Sequence, residues 1–257
     1  DGMMGALRAV KRSRVMTALR GAAAWVLRQE ASVLVAAMAV AAGVWVFAQI
    51  ADEVVGGDSP WIDRAILVGL RREDDPGVPI GPGWMLDAAR DLSALGSAPV
   101  LILVTLAVIG YLVLERKRHA AWLVVAATLG GMLLGWGLKY AFARERPELV
   151  PHLTTYAHPS FPSGHAMNSA VVYLTLAALL VRTQVRRRAK AYVIVVALVV
   201  TGLVGVTRVY LGVHYPTDVL AGWTAGAAWA VGCWLAARWL QRRGMVERAG
   251  ERSAAGG

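Results

Sequence analysis

Six runs of apolar residues constrain this chain more than any other feature. They fall at about 31–51, 97–114, 119–142, 166–182, 190–207 and 217–240. A helix that crosses a bilayer needs about 20 mainly apolar residues, within roughly 17–25. Each run meets that requirement. A segment in hydrocarbon must satisfy its own backbone polar groups, and a single run does so only as an α-helix. The chain is therefore read as all-α: an integral membrane bundle of six transmembrane helices. No soluble domain is left over and no repeat is evident, so residues 1–257 form one membrane domain. Composition agrees, with 57% hydrophobic and 17% charged residues, against about 25% charged in soluble domains.

Orientation follows from where Lys and Arg fall between the runs. Nineteen of the 27 basic residues lie in the N-terminal segment 1–30, around 116–118, around 182–190 and from 238 onward. The other side holds the remaining eight, with 12 of the 17 acids. This asymmetry predicts that both termini and the tail 241–257 are cytoplasmic. The connections 52–96, 143–165 and 208–216 are then extracytoplasmic. In a soluble protein the net charge of +10 would suggest nucleic acid. Here the basic residues flank apolar runs, so no nucleic-acid partner is expected.

The 52–96 connection is long and is read as an extracytoplasmic cap. Asp58 or Ser59 would cap a helix with Pro60 at its first position. Trp61, Ile62, Ala65, Ile66 and Leu70 would share one face of it. A second short helix is predicted from Trp84 to Leu95. Both are read as interfacial helices on the outer leaflet or over the bundle. The run at 31–50 is long enough to span and no cleavage site is evident, so it is read as a retained anchor. Asp1 and Gly2 are read as an addition ahead of Met3 or Met4. The one cysteine, Cys233, is read as a small buried hydrophobe. Gly130, Gly131, Gly135, Gly137, Gly222 and Gly226 are assigned to close helix packing.

Three short stretches stand out, all at the predicted outer ends of spans: KYAFARERP with Lys139, Arg144, Arg146 and Pro147; PSGH at 162–165; and TRVYLGVHYPTD with Arg208, His214 and Asp218. A lysine or arginine at a span end often snorkels to the headgroups. Four span ends bringing polar groups to one surface point instead to a site. Lys139, Arg146 and Arg208 supply positive charge. Ser163 adds a hydroxyl, and Gly164 lets backbone N–H groups approach a ligand at a helix start. That set suits phosphate, which arginine binds through two parallel bonds and lysine as a point charge. Of His165 and His214, one would attack phosphorus and the other protonate the leaving oxygen. Asp218, four residues after His214, would hold its ring in the productive tautomer. No group of Asp, Glu or Cys joins the histidines, so metal-independent phosphoryl transfer without a cofactor is expected.

The segments Lys139–x6–Arg146–Pro147, Pro162–Ser163–Gly164–His165 and Arg208–x5–His214–x3–Asp218 resemble the three signature motifs of the type 2 phosphatidic acid phosphatase family. That family shares its site with the vanadium-dependent haloperoxidases. The motifs cover 139–218, and the six-span layout extends the likeness over most of the chain. The resemblance implies that His214 is the nucleophile, Asp218 its orienting partner and His165 the acid for the leaving group. Lys139, Arg146, Ser163, Gly164 and Arg208 would bind the phosphate. The family usually has serine before the third-motif arginine, where this chain has Thr207; its hydroxyl should preserve the function. Arg144 and Glu145 are read as loop charges. His152 and His158 are given surface or hydrogen-bonding roles, and topology excludes His119 from the site.

The resemblance implies a lipid phosphatase in a bacterial cytoplasmic membrane, its site on the periplasmic or extracytoplasmic face. The expected partner is a phosphorylated membrane lipid, undecaprenyl diphosphate first. Phosphatidylglycerophosphate, phosphatidic acid and lipid A are the alternatives. A non-catalytic lipid-binding or transport relative would be expected to lack a catalytic histidine. Haloperoxidases are typically soluble and lack six spans.

Overall fold

The computed structural model describes residues 31–56, 61–154 and 158–242. These form eight helices: α1 (Ala31–Val55), α2 (Trp61–Gly69), α3 (Gly83–Ala94), α4 (Ala98–Leu114), α5 (Arg118–Phe142), α6 (Gly164–Thr183), α7 (Arg187–Tyr210) and α8 (Pro216–Arg242). A single β-bridge joins Arg71 and Pro79, and the described residues form no strand. The basic arm 1–30, the tail beyond 242, and the predicted cap at Asp58 or Ser59 with Pro60 after it lie outside the described residues.

Helices α1, α5, α6, α7 and α8 are each long and apolar enough to cross a membrane. A sixth crossing depends on α3 and α4 together. Helix α4 has 17 residues, about 25 Å at 1.5 Å per residue, against a hydrocarbon core of about 30 Å. It reaches spanning length together with α3, which meets it at a 46° bend. Ser97 and Pro99 set that break. Ser97 donates to Ala94 O at 2.7 Å, and the proline takes one of the first two helical positions. The second short helix of the 52–96 segment thus meets α4 at a sharp bend, and the two reach spanning length only when taken together.

Helix α6 is the centre of the bundle and packs against α4, α5, α7 and α8. Its approach to α8 is close because Gly222 and Gly226 carry no side chain. A Cβ on Gly222 would lie 2.7 Å from Ser163 O and 3.0 Å from Ala166 Cβ. Gly130 and Gly131 similarly admit Trp229, and Gly135 admits Met167. A Cβ on Gly137 would meet nothing within 4 Å, so close packing does not explain that glycine. Helix α1 rests on α8 at Gly43 and closes a cluster of Ala51, Phe161 and Ala221 with Phe47 and Phe142 around it. Large apolar side chains such as Leu103, Trp122, Leu133 and Tyr192 point outward. This is the arrangement of helices solvated by lipid.

Two side-chain placements stand out. In α2, Trp61, Ile62 and Ile66 are exposed, whereas Asp63 and Leu67 are buried. The inward face therefore carries a carboxylate opposite the apolar stripe. Cys233 is only half-buried, because α8 is partly exposed at that level.

Candidate active site

The end of the bundle where α5 and α7 finish and α6 and α8 begin gathers the polar residues. Helix α5 stops at Ala143, which takes a left-handed conformation and donates its N–H to Lys139 O. The following loop folds back over the helix ends. Lys139 Nζ donates to Pro159 O at 2.7 Å, so this lysine turns inward to the loop and not out to headgroups. Its stem lies along the start of α6: a Cβ on Gly164 would meet Lys139 Cε at 3.3 Å. The absence of that Cβ lets the first-motif lysine and the second-motif backbone share one space. Helix α5 separates Lys139 from exposed His119 by about 30 Å, from a 1.5 Å rise per residue.

Ser163 is the N-cap of α6, and its N–H donates to Asp218 O at 2.9 Å. That bond ties the second motif to the third. The Ser163 hydroxyl is fully buried and, among the described residues, has no hydrogen-bond partner. A buried hydroxyl left unbonded is unfavourable, and a phosphate oxygen would supply the missing acceptor. His165, one residue into α6, backs onto Gly96, whose added Cβ would lie 3.3 Å from His165 Cβ. Lys139, Arg146, Arg208 and His214 lie close enough to act on His165 electrostatically.

His214 sits on the short turn between α7 and α8 and is 1% exposed. Its Nδ1 lies 3.3 Å from Asp218 Oδ2, and its Nε2 lies 3.2 Å from Arg146 Nη1. A carboxylate and a guanidinium on opposite ring nitrogens select one tautomer. Nδ1 carries the hydrogen that Asp218 accepts, leaving the Nε2 lone pair toward Arg146. Burial pushes the imidazole down to about 3, with Asp218 opposing and Arg146 and Arg208 adding to the shift. The ring is therefore neutral near pH 7, and its contact with Asp218 is a hydrogen bond between a neutral ring and a carboxylate. Arg146 is fixed by donating to His158 O at 2.9 Å and Val213 O at 2.6 Å.

Arg208 is buried in the last turn of α7 and donates to Ser93 Oγ on α3 at 2.9 Å. Thr207 donates to Val204 O at 2.7 Å, so its hydroxyl is bonded within its own helix. His152 contacts Pro147 O, His158 is exposed beside Trp136, and Glu145 is exposed.

One expectation is overturned. Arg144 is no loose loop charge: its side chain is 11% exposed and bridges two buried acids. Nη1 lies 2.6 Å from Asp218 Oδ1, and Nη2 lies 3.3 Å from Asp63 Oδ2. Its guanidinium also covers the Tyr215 ring at 4.1 Å. Ser160 Oγ donates to Asp218 Oδ2. Asp63, Ser93, Arg144, Ser160 and Thr217 were thus missed from sequence. The one available signal was Asp63 four residues before Leu67, on a face opposite the apolar stripe.

Residues 119–242 match the PAP2 superfamily. Phosphatidylglycerophosphatase B of Bacillus subtilis is 35% identical over 144 residues, covering 56% of this chain and 70% of that protein. An undecaprenyl-diphosphatase of Sulfolobus acidocaldarius is 32% identical over 121 residues, covering 45% of this chain and 54% of its own. A decaprenylphosphoryl-5-phosphoribose phosphatase of Mycobacterium tuberculosis is 33% identical over 150 residues, covering 57% and 76%. The crystal structure of a transmembrane PAP2-type phosphatidylglycerolphosphate phosphatase from Bacillus subtilis is similar with a TM-score of 0.65 and 27% identity. It covers 80% of this chain and 98% of that one. With a relative 35% identical over 70% of its length, and a superfamily match across all three motifs, the chain belongs to the PAP2 superfamily.

Proposed function

We propose that this multi-pass membrane lipid phosphate hydrolase acts through a phosphohistidine on His214, without a metal. The observation that carries the reading is the His214 environment. The ring is neutral, its Nδ1 is committed to Asp218, and its Nε2 lies 3.2 Å from an arginine that suits a phosphate. A phosphoryl group held by Arg146 therefore has its phosphorus beside the nucleophilic lone pair. Lys139, Arg208, the Ser163 hydroxyl and the backbone at Gly164 complete the cradle. Nε2 attacks phosphorus, and the P–N bond forms as the bond to the lipid oxygen breaks. His165 gives its proton to that oxygen and then takes one from the water that attacks phosphohistidine. Orthophosphate leaves and both imidazoles return to their starting states. Preorganised donors around the transferring group stabilise the transition state without rearranging.

The charge asymmetry supports a site on the extracytoplasmic face of a bacterial cytoplasmic membrane, at headgroup depth. The substrate proposed first is undecaprenyl diphosphate. The relatives named as undecaprenyl-diphosphatase and decaprenylphosphoryl-5-phosphoribose phosphatase act, by name, on phosphorylated undecaprenyl and decaprenyl compounds. A second reading, phosphatidylglycerophosphate, is favoured by the 35% identity to the Bacillus subtilis phosphatase. Phosphatidic acid and lipid A complete the panel. The test is phosphate release by the purified protein from each lipid, compared by kcat/KM, with His214→Ala as the control. Undecaprenyl diphosphate is expected to lead. A lead for another lipid overturns the substrate, and no release from any lipid overturns the activity.

A further inference from the structure

The buried acid on α2 has no part in the reaction as described, and its connections lead to the nucleophile. Asp63 is 0% exposed. Burial pushes its carboxyl up, while bonds from Thr217 and the charge of Arg144 oppose that. Thr217 N–H donates to Asp63 Oδ1 at 3.0 Å, and Thr217 Oγ1 donates to Asp63 Oδ2 at 2.6 Å. Arg144 Nη1 donates both to Thr217 Oγ1 at 2.9 Å and to Asp218 Oδ1 at 2.6 Å. The other oxygen of Asp218 accepts Ser160 O–H and Tyr215 N–H and faces His214 Nδ1. The chain Asp63–Arg144–Asp218–His214 thus runs from a helix outside the three motifs to the attacking ring.

Resting on the phosphohistidine reading above, we propose that Asp63 and Arg144 are positioning residues for His214. Asp63 and Thr217 fix the guanidinium of Arg144. Arg144 fixes Oδ1 of Asp218 on the side away from the imidazole. The remaining oxygen is thereby aimed at Nδ1, and the ring presents Nε2 toward phosphorus. Neither residue needs to touch substrate. Without Arg144 the carboxylate would be held through Oδ2 alone, by Ser160 O–H and Tyr215 N–H, and the buried Oδ1 would lose its charged donor, so the aim of Oδ2 at Nδ1 would loosen. The 52–96 segment then contributes through α2 to the catalytic machinery, beyond roofing it.

The test uses the full chain in detergent, with phosphate release from undecaprenyl diphosphate and phosphatidylglycerophosphate. Arg144→Gln, Arg144→Lys, Asp63→Asn and the Asp63→Asn/Arg144→Lys double variant are compared for kcat, KM and melting temperature. Loss of a partner that orients a metal-ligating side chain typically lowers activity about 10- to 100-fold, and the same scale is applied to this chain of bonds. The expected result is a kcat loss of that size for Arg144→Gln and Asp63→Asn, with KM within about twofold of wild type. Arg144→Lys, which keeps the charge, should recover part of the loss. The double variant should be no slower than the slower single variant, because both act through one chain. Wild-type kcat in the folded variants, a raised KM with unchanged kcat, or losses that multiply would each overturn the proposal. If Asp63→Asn does not fold, Thr217→Val decides: it removes the hydroxyl link alone and should still lower kcat about tenfold. A wild-type protein that releases no phosphate overturns the function itself; an active wild type beside unaffected variants overturns only this positioning role.

Discussion

Replacing Asp218 by asparagine changes one oxygen to an amide nitrogen with almost no change of shape. The structure makes the consequence calculable. One carboxylate oxygen faces Arg144 Nη1 at 2.6 Å, and the other faces Tyr215 N at 2.9 Å, Ser160 Oγ and His214 Nδ1. Every one of these neighbours donates or is able to donate. An amide nitrogen placed toward Arg144 meets a guanidinium N–H. Placed toward Tyr215, it meets a backbone N–H and also donates to His214 Nδ1. That second arrangement drives the imidazole hydrogen to Nε2 and removes the attacking lone pair. The corresponding change in a serine-protease triad lowers kcat about 10⁴-fold through the wrong tautomer. Here a loss of about 10³–10⁴ is expected, or roughly 4–5.5 kcal/mol of transition-state stabilisation at 1.36 kcal/mol per tenfold. KM should stay within a few-fold, because Asp218 faces away from the phosphate. The assay is phosphate release at saturating lipid, with a melting curve showing that the variant is folded. A folded Asp218→Asn protein with kcat within tenfold of wild type would refute the tautomer argument.

Ser163→Ala should lower kcat/KM by about 10²–10³, the usual effect of losing one preorganised donor. Its melting temperature should hardly move, since the hydroxyl has no partner among the described residues; a stability loss with unchanged kcat/KM would contradict its phosphate role. Burial holds the folded His214 pKa down at about 3. The unfolded ring takes a proton below about pH 6.5, so stability should fall between those values, by at most about 1.4 kcal/mol per pH unit. From about pH 7.5 to about pH 5 the wild-type melting temperature should therefore drop more than that of His214→Asn; parallel curves would count against a buried neutral imidazole. Chelation with EDTA should leave turnover intact, and vanadate should inhibit by mimicking the five-coordinate phosphorus. Activity lost to EDTA and restored by Mg²⁺ would contradict the metal-independent route.

The spans and the three motifs were legible because charge is conspicuous in an apolar chain. Lys139, Arg208 and His214 sit at the ends of long hydrophobic runs, where solvation alone gives them little reason to be. Charge bias then placed those ends on one side of the membrane. The supporting residues were not legible, for a physical reason. Asp63 and Arg144 are 81 positions apart, and Arg208 and Ser93 are 115 apart. Each looks ordinary beside its neighbours: Arg144 stands in a polar loop with Glu145 and Arg146, and Asp63 in an acid-rich connection. Their meaning comes from burial, which the periodicity of α2 does not report for a polar side chain. There the apolar stripe turns outward and the carboxylate turns in. The amphipathic pattern predicted the helix and left both of its orientations open.

In the proposed mechanism phosphate passes through His214, and rapid quenching tests this directly. A radiolabelled diphosphate lipid is mixed with the enzyme, and the reaction is stopped in alkali, which spares phosphohistidine. Label on His214 is expected in the wild type, and neither label nor turnover in His214→Ala. Label on another side chain, or turnover by His214→Ala, would contradict it.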